Sequence, residues 1–153
     1  MRPDFPPNAH ATRCPRQAGF TLLEVLVALV VLSIGLLGLA GLQAANLQNN
    51  HSAYLRSQAS VLGYDIVDSM RANRPAAVNG NYIITLAATP TGATIAAQDL
   101  IAWRANLTAA LPAGNGAIAR TVANTNRFTI TVQWDDTRAG GSATQQFVTN
   151  IEL

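Results

Sequence analysis

Cysteine, histidine and charge are scarce in this sequence of 153 residues. The single cysteine, Cys14, has no intramolecular partner for a disulfide, and together with two histidines it cannot complete a four-ligand zinc site. Charged residues make up 12% of the chain, about half the usual fraction, whereas 49% of it is hydrophobic. This balance excludes a disordered chain, a nucleic-acid-coating arm and a highly charged coiled coil. The ten basic residues, all arginine, exceed the eight acids by only two, too few to indicate a polyanionic partner.

What the sequence does have is a long apolar run at residues 20–42, in which Glu24 is the only charge. As a helix this run spans about 34 Å, enough to cross a hydrocarbon core of about 30 Å. Before it, Arg2, Arg13 and Arg16 outnumber Asp4, so the positive-inside rule predicts that residues 1–19 stay cytoplasmic and the rest is exported. The sequence therefore predicts a chain that inserts into a membrane.

Three interpretations of the apolar run are open on these grounds. One is a signal peptide cleaved after the apolar run, since Gly38 and Ala40 have the small side chains of a cleavage site. Against this interpretation, the run is longer than the apolar core of a typical signal peptide and begins with an acid. It also fits a plain signal anchor, in which Glu24 has no role. The third interpretation, which we favour, makes Glu24 functional, because an acid in hydrocarbon costs about 2.5–3.5 kcal/mol at mid-bilayer and is rarely present without a partner.

The residues around Glu24, GFTLLEV at 19–25, resemble the N-terminal processing signal of the type IV pilin family. In that family a basic leader ends in glycine, and prepilin peptidase cuts after it and N-methylates the new first residue. The resemblance implies cleavage between Gly19 and Phe20, methylation of Phe20, and Glu24 as the fifth residue of the mature chain. It also implies a partner for Glu24, the cationic terminal amine of a neighbouring subunit. The alternative is an interfacial acid that snorkels to the headgroups.

The resemblance extends over residues 16–75 and is closest to minor pilins of the type called type IV pilus modification protein PilV. It rests on LSIGLLGLAGLQ at 32–43, SAYLRSQA at 52–59 and MRANRP at 70–75. It implies a structural protein without catalysis or cofactor, which helps to prime fibre assembly. The implied partners are prepilin peptidase, other minor and major pilins, the inner-membrane assembly machinery and, before assembly, the lipid bilayer. A minor pseudopilin of a type II secretion system and an adhesin or DNA-binding tip subunit are the alternatives.

This resemblance implies three regions: a cleaved leader at 1–19, a membrane and fibre-core helix at 20–44, and a periplasmic domain at 45–153. Within the helix, Gly35, Gly38 and Gly41 recur every third residue. Small residues allow membrane helices to approach closely, and each glycine also weakens the helix by about 1 kcal/mol relative to alanine. Related pilins extend this region in the fibre, so close packing and local extension are both open.

Beyond the apolar run, the helical pattern continues to Asn73 and becomes amphipathic. Apolar residues follow helical spacing, and proline at 75 marks the predicted end. The predicted core face consists of Leu55, Ala59, Leu62, Ile66 and Met70.

The remaining pattern predicts an α+β domain in which the long helix packs on a small antiparallel sheet. Residues 75–97 form a loop with one short strand at 82–86. A second helix carries Leu100, Trp103, Leu107 and Leu111 on one face, followed by strands at 117–122, 128–134 and 145–153. No cysteine follows residue 14, so we expect this sheet to be held by packing alone.

Other candidate chemistry is sparse. His51 has no triad motif around it and is expected at the surface or a subunit contact. Asp135 and Asp136 are too few ligands for calcium and are interpreted as a polar strand end leading into a turn. Arginines 120, 127 and 138 lie around the strands, but cleavage of the leader leaves seven arginines and seven acids, so nucleic-acid binding is not expected. Trp103 and Trp134 are predicted to lie in the core.

Overall fold

In a computed structural model, residues 19–121 and 125–153 are described. The described chain contains helices α1 (Leu22–Ala72), α2 (Arg74–Val78) and α3 (Ile95–Ala110), and strands β1 (Asn115–Arg120), β2 (Arg127–Trp134) and β3 (Gln145–Glu152), with a short 3₁₀ helix at Thr137–Ala139. It divides into two compact units between Gly41 and Leu42. The α+β class, with a long helix and a small antiparallel sheet, is confirmed.

The first unit consists of the beginning of α1. Every residue from 19 to 50 is exposed, and α1 is long and apolar enough to cross a membrane by length and composition. The helix is uninterrupted at Gly35, Gly38 and Gly41. Ser33, the one polar side chain of residues 25–42, donates to the carbonyl oxygen of Leu29 at 2.7 Å, which satisfies its hydroxyl inside the helix.

In the second unit, the later part of α1 supplies one wall of the core, and the helical periodicity correctly predicted five of its residues but missed Gly63 and Val67. Leu62 is partly buried, and the fully buried residues are Leu55, Ala59, Gly63, Ile66, Val67 and Met70. Gly63 was absent from the predicted face, yet it is where the sheet comes closest. A Cβ added there would lie 3.0 Å from the Phe147 ring.

The predicted end of the long helix at Asn73 is confirmed, but the loop that was expected to follow is partly wrong. Arg74–Val78 forms the separate helix α2, with Pro75 in its first turn. Proline is tolerated there because its missing N–H would have no helical partner in the first turn. The proline that ends one helix thus starts the next.

The sheet is a three-stranded antiparallel meander in the order β1-β2-β3. Alternate residues of β2 are buried, as its sequence alternation predicted. The strand predicted at 82–86 is wrong: Ile84 makes only an isolated bridge to Ile118. A single bridge does not pair enough backbone groups to extend the sheet. Val122, the predicted end of the first strand, lies outside the described residues.

Helix α3 packs its predicted face into the core between α1 and the sheet. Trp103, Leu107 and Leu111 are buried, and the indole nitrogen of Trp103 donates to the carbonyl oxygen of Leu62 on α1 at 2.8 Å. β1 approaches this face so closely that a Cβ on Gly116 would lie 2.3 Å from the Trp103 ring. Trp134 is also buried, which confirms both tryptophans as core residues.

The expectation that the sheet is held by packing alone is wrong. The hydroxyl of Ser52 on α1 donates to the carboxylate of Asp136, which follows β2, at 2.6 Å. Arg74 donates to the carbonyl oxygen of Leu153 at 3.0 Å. Polar contacts therefore tie both the β2–β3 connection and the end of the chain to the helical side of the unit.

Candidate functional site

The first turn of α1 brings together the residues that the sequence singled out. Thr21 precedes the helix, and its hydroxyl accepts a hydrogen bond from the Glu24 amide at 3.3 Å. Its carbonyl oxygen accepts from the amides of Glu24 and Val25 at 3.1 and 3.3 Å. Thr21 is therefore the N-cap, and Glu24 occupies the third helical position, the spacing of a capping box.

This geometry gives Glu24 a local role that the sequence analysis missed. A carboxylate in the first turn is stabilised by the positive end of the helix dipole. The signal was present in the sequence, because threonine followed three residues later by glutamate is a helix-start pattern. The local role does not exclude a second one, since Glu24 is exposed and its carboxylate is open to another molecule.

Gly19 and Phe20 lie just before the helix and are also exposed, Phe20 with 83% of its surface accessible. Together with Glu24, Phe20 borders a shallow apolar depression along the helix, lined further by Val25, Ala28 and Leu29. The peptide bond between Gly19 and Phe20 is thus outside regular secondary structure, where an enzyme can reach it. The leader residues 1–18 lie outside the described residues.

The three glycines of the apolar run face open space. A Cβ added to Gly35, Gly38 or Gly41 would meet no described atom within 4 Å. No contact with residues 19–121 or 125–153 therefore requires glycine at these positions. Both close approach by another helix and local extension stay predictions.

The two acids after β2 have separate partners. The Asp135 carboxylate accepts from the amide and hydroxyl of Thr137 at 2.9 and 2.7 Å, and these bonds hold its pKa below the usual range. This is the predicted polar turn. Asp136, by contrast, is only 2% exposed, and its Oδ1 has no hydrogen-bond partner among the described residues. No group of three or more histidine, cysteine or acidic side chains that could hold a metal occurs within residues 19–121 and 125–153.

His51 is exposed, where the sequence analysis placed it. It borders a cleft with Tyr54, Asp135 and Arg138. Neither a serine nor a cysteine lines this cleft, and the hydroxyl of Thr108, which does, bonds to the carbonyl oxygens of Arg104 and Ala105.

The three arginines around the strands do not form one basic patch. Arg120 donates to the carbonyl oxygens of Val78 and Thr125 at 2.5 and 2.6 Å, and its guanidinium lies 5.0 Å from the Phe128 ring centre. Arg127 pairs with Glu152 at 3.1 Å. Only Arg138 is free of an ion pair or hydrogen bond to another described residue, which leaves little cationic surface for a phosphate backbone.

Sequence reasoning also missed a part-buried polar cluster around Tyr82. Its hydroxyl bonds to the Asp99 carboxylate and accepts from the Asn73 amide at 3.3 Å. Burial, followed by the Asp99 contact, raises the pKa of Tyr82 to about 12. Nearby, Arg104 holds the loop before α3 through the carbonyl oxygens of Thr85 and Ala88, and burial lowers the pKa of its guanidinium. No sequence pattern pairs these distant residues.

Comparison with known proteins adds one finding. Neither the curated proteins nor the solved structures contain a match to this chain. The prokaryotic N-terminal methylation motif, however, matches residues 14–40. This range holds the Gly19–Phe20 bond, Glu24 and most of the exposed apolar part of α1. The match shows that this part of the chain carries a prokaryotic N-terminal methylation motif, the type of signal that prepilin peptidase processes.

Proposed function

We propose that this protein is a minor pilin of a type IV pilus, similar to PilV, which helps to prime assembly of the fibre. The observation that carries the proposal is a methylation motif followed by one helix with two different parts, an exposed apolar part and a part that packs in a core. Residues 20–42 of that helix are exposed and apolar, whereas residues 55–70 form the wall of a folded α+β unit. A helix that is apolar where nothing covers it needs lipid or other helices around it.

In this proposal the peptidase cuts between Gly19 and Phe20 and methylates Phe20. Cleavage makes the amine of Phe20 the new N-terminus. In the fibre, the amine of one subunit pairs with the Glu24 carboxylate of a neighbouring subunit. A buried carboxylate paired with a buried cation fixes register well, because either charge alone is expensive in an apolar environment. The exposed Glu24 side chain, at the start of a capped helix, supports this role.

The exposed apolar part of the helix and its core-forming part support the locations that we propose for the protein before and after assembly. The chain is anchored once in the inner membrane, with residues 45–153 in the periplasm, and then enters the fibre on the cell surface. The open space around Gly35, Gly38 and Gly41 supports their proposed role as the place where neighbouring helices approach or the helix extends.

Two other functions share the same processing signal. A minor pseudopilin of a type II secretion system fits the motif equally well, and the likeness of residues 32–43 and 52–59 to PilV favours the pilus. A tip subunit that binds DNA is less well supported, because Arg120 and Arg127 are engaged by partners within the chain.

The first test is the intact mass and N-terminal sequence of the membrane-extracted protein, with active or inactive prepilin peptidase. We expect a chain that begins at methylated Phe20 only when the peptidase is active. Gly19→Val is expected to remain uncut, whereas Gly35→Ala, in open space on the same helix, is expected to be processed normally. A chain beginning near Gly41 would indicate a signal peptide instead, and an uncut wild-type chain a signal anchor.

A further inference from the structure

The carboxylate of Glu24 is the feature from which we draw a further inference. The backbone amide of this residue bonds to Thr21, but its carboxylate makes no hydrogen bond or ion pair with residues 19–121 or 125–153. The side chain is exposed, and the residues that follow it are apolar and exposed as well. Next to hydrocarbon, a carboxylate without a partner is costly. It therefore needs a cation from outside the described chain wherever this helix lies in a membrane.

The position of Glu24 along the helix indicates where that cation lies. Glu24 is the third residue of α1. At a rise of about 1.5 Å per residue, it stands about 26 Å before Gly41, near the other end of the apolar run. Because a hydrocarbon core is about 30 Å thick, the carboxylate of a membrane-spanning α1 lies at one edge of this core. This is the level of the lipid headgroups, whose ammonium groups are cations.

An apolar depression along the helix begins at this carboxylate. Phe20 and Glu24 border it, and Ala28, the smallest of its lining side chains, lies one turn after Glu24. From Glu24 the depression runs about 12 Å along the helix to Leu32. The surface thus offers a negative charge at headgroup level and, directly below it, an apolar channel that an acyl chain can fill.

We propose that Glu24 and this depression bind a phospholipid whose headgroup ends in an ammonium with N–H donors, as in phosphatidylethanolamine. The proposal rests on the proposed function, since it takes α1 to be anchored in the membrane. The headgroup ammonium donates to the Glu24 carboxylate, and an acyl chain covers Ala28 and Leu32. A charge-assisted hydrogen bond requires an N–H. A choline headgroup has the same charge and phosphate but no N–H, so the site discriminates between these two lipids.

The charge of the site favours this lipid over a second copy of the helix. Two uncut copies inserted in the same direction bring two Glu24 carboxylates to the same level of the membrane, where like charges repel each other. A lipid with an anionic headgroup is disfavoured for the same reason. A cationic headgroup instead neutralises the carboxylate and adds hydrogen bonds to it.

The lipid occupies the place that a neighbouring subunit is proposed to take in the fibre. Both partners present a cationic amine to Glu24, one from the headgroup and one from the methylated N-terminus at Phe20. Removing one member of a buried charge pair is costly because it leaves the other charge unpaired. In this proposal Glu24 exchanges one ammonium for another as the chain leaves the membrane, so it is paired before and after assembly.

Four lipids with the same phosphate and acyl chains test the proposal. They are phosphatidylethanolamine, its N-methyl and N,N-dimethyl forms, and phosphatidylcholine. Native mass spectrometry of the uncut full chain in detergent micelles measures the dissociation constant of each. We expect the first three to bind, since each has at least one N–H. Phosphatidylcholine should bind about tenfold more weakly, which corresponds to the loss of one hydrogen bond to a charged group.

Two pairs of variants separate the charge from the depression. Glu24→Gln should bind the four lipids equally, whereas Asp65→Asn, which changes an exposed acid beyond the apolar run, should retain the preference. Ala28→Leu fills the depression and should weaken binding of every lipid. Ala40→Leu changes an exposed alanine that does not line the depression and should bind as the wild type does. Circular dichroism checks that each variant keeps its helical content.

Three results would overturn the proposal. These are equal affinity for phosphatidylethanolamine and phosphatidylcholine, a preference that Glu24→Gln retains, or equal losses from Ala28→Leu and Ala40→Leu. A dimer in lipid-free micelles that Ala28→Leu dissociates would replace the lipid with a second copy.

The measurements use the uncut chain, so they do not depend on cleavage at Gly19. A chain that is processed and enters fibres but shows no lipid preference contradicts this proposal alone. A chain that shows the lipid preference but is never cut by active prepilin peptidase contradicts the proposed pilin function alone.

Discussion

The strongest prediction separates the charge of Glu24 from its place in the helix cap. Glu24→Gln removes the charge but preserves the capping-box pattern with Thr21, because glutamine serves at that position as well. Loss of a favourable charge at the helix start costs about 0.3–1 kcal/mol. Thr21→Ala does the reverse, since it removes the 3.3 Å bond to the Glu24 amide and keeps the carboxylate. A bond of that length lies at the weak end of the range for caps, about 0.5–1 kcal/mol.

The two substitutions therefore perturb the helix by similar and small amounts, whereas only one removes the charge. We expect Glu24→Gln to be cleaved at Gly19 and inserted in the membrane, but to be reduced at least tenfold in fibres. Thr21→Ala should be cleaved and incorporated nearly as well as the wild type. The assay compares the protein recovered in sheared fibres with that in the membrane, by quantitative immunoblotting of the same cells.

The outcome that refutes the reasoning is specific. If Thr21→Ala is lost from fibres as completely as Glu24→Gln, the shared effect is on the helix start, and no intermolecular charge pair is needed. If both enter fibres normally, Glu24 has no role in assembly under the conditions of the assay. Helical content by circular dichroism serves as the control that both variants keep α1.

Three further predictions concern the folded unit. Gly116→Ala should lower the free energy of unfolding by about 1–3 kcal/mol, because the new methyl would lie 2.3 Å from the buried Trp103 ring; urea denaturation measures this. Ser52→Ala should cost about 1–3 kcal/mol in the same assay, because it leaves the buried Asp136 carboxylate without its 2.6 Å donor. Tyr82, whose pKa is raised to about 12, favours its neutral form in the folded state, so stability should fall as pH rises from about 10 towards 12.

Each of these has a matched control within the chain. Gly38→Ala adds a methyl in open space and should leave the folded unit unaffected. Ser57→Ala changes an exposed serine on the same helix and should be neutral. Tyr82→Phe should remove the stability loss above pH 10 and the late step in tyrosinate absorbance. A Ser52→Ala variant as stable as the wild type would show that Asp136 does not depend on this contact.

Local patterns predicted much of the fold. The bounds of α1 were predicted to within two residues, and β2 to within one, because both are long and strongly periodic. Periodicity also identified the buried face of α3. The Thr21–Glu24 cap was readable too, and it was overlooked because attention went to the charge of Glu24.

The parts that failed depend on contacts between distant residues. Ile84 is a β-branched residue typical of strands, but its segment makes only the single bridge to Ile118, a contact between residues 34 positions apart. Asp136 looked like its neighbour in sequence, but it is buried and accepts a hydrogen bond from Ser52, 84 residues earlier. Tyr82 and Asp99 likewise meet through tertiary packing. A pattern confined to neighbouring residues contains no information on these pairs.

The scarcity of cysteine has a structural consequence that links these observations. A disulfide would close the C-terminal region covalently, but the described chain holds it with reversible polar contacts at two places. Ser52 fixes the connection between β2 and β3 through Asp136, and Arg74 fixes the last residue through its carbonyl oxygen. Both donors belong to the helical side of the unit, so the connection before β3 and the residue after it are each tied to that side. These two contacts act where a disulfide would otherwise hold the sheet to the helices, and unlike a disulfide they can break and re-form.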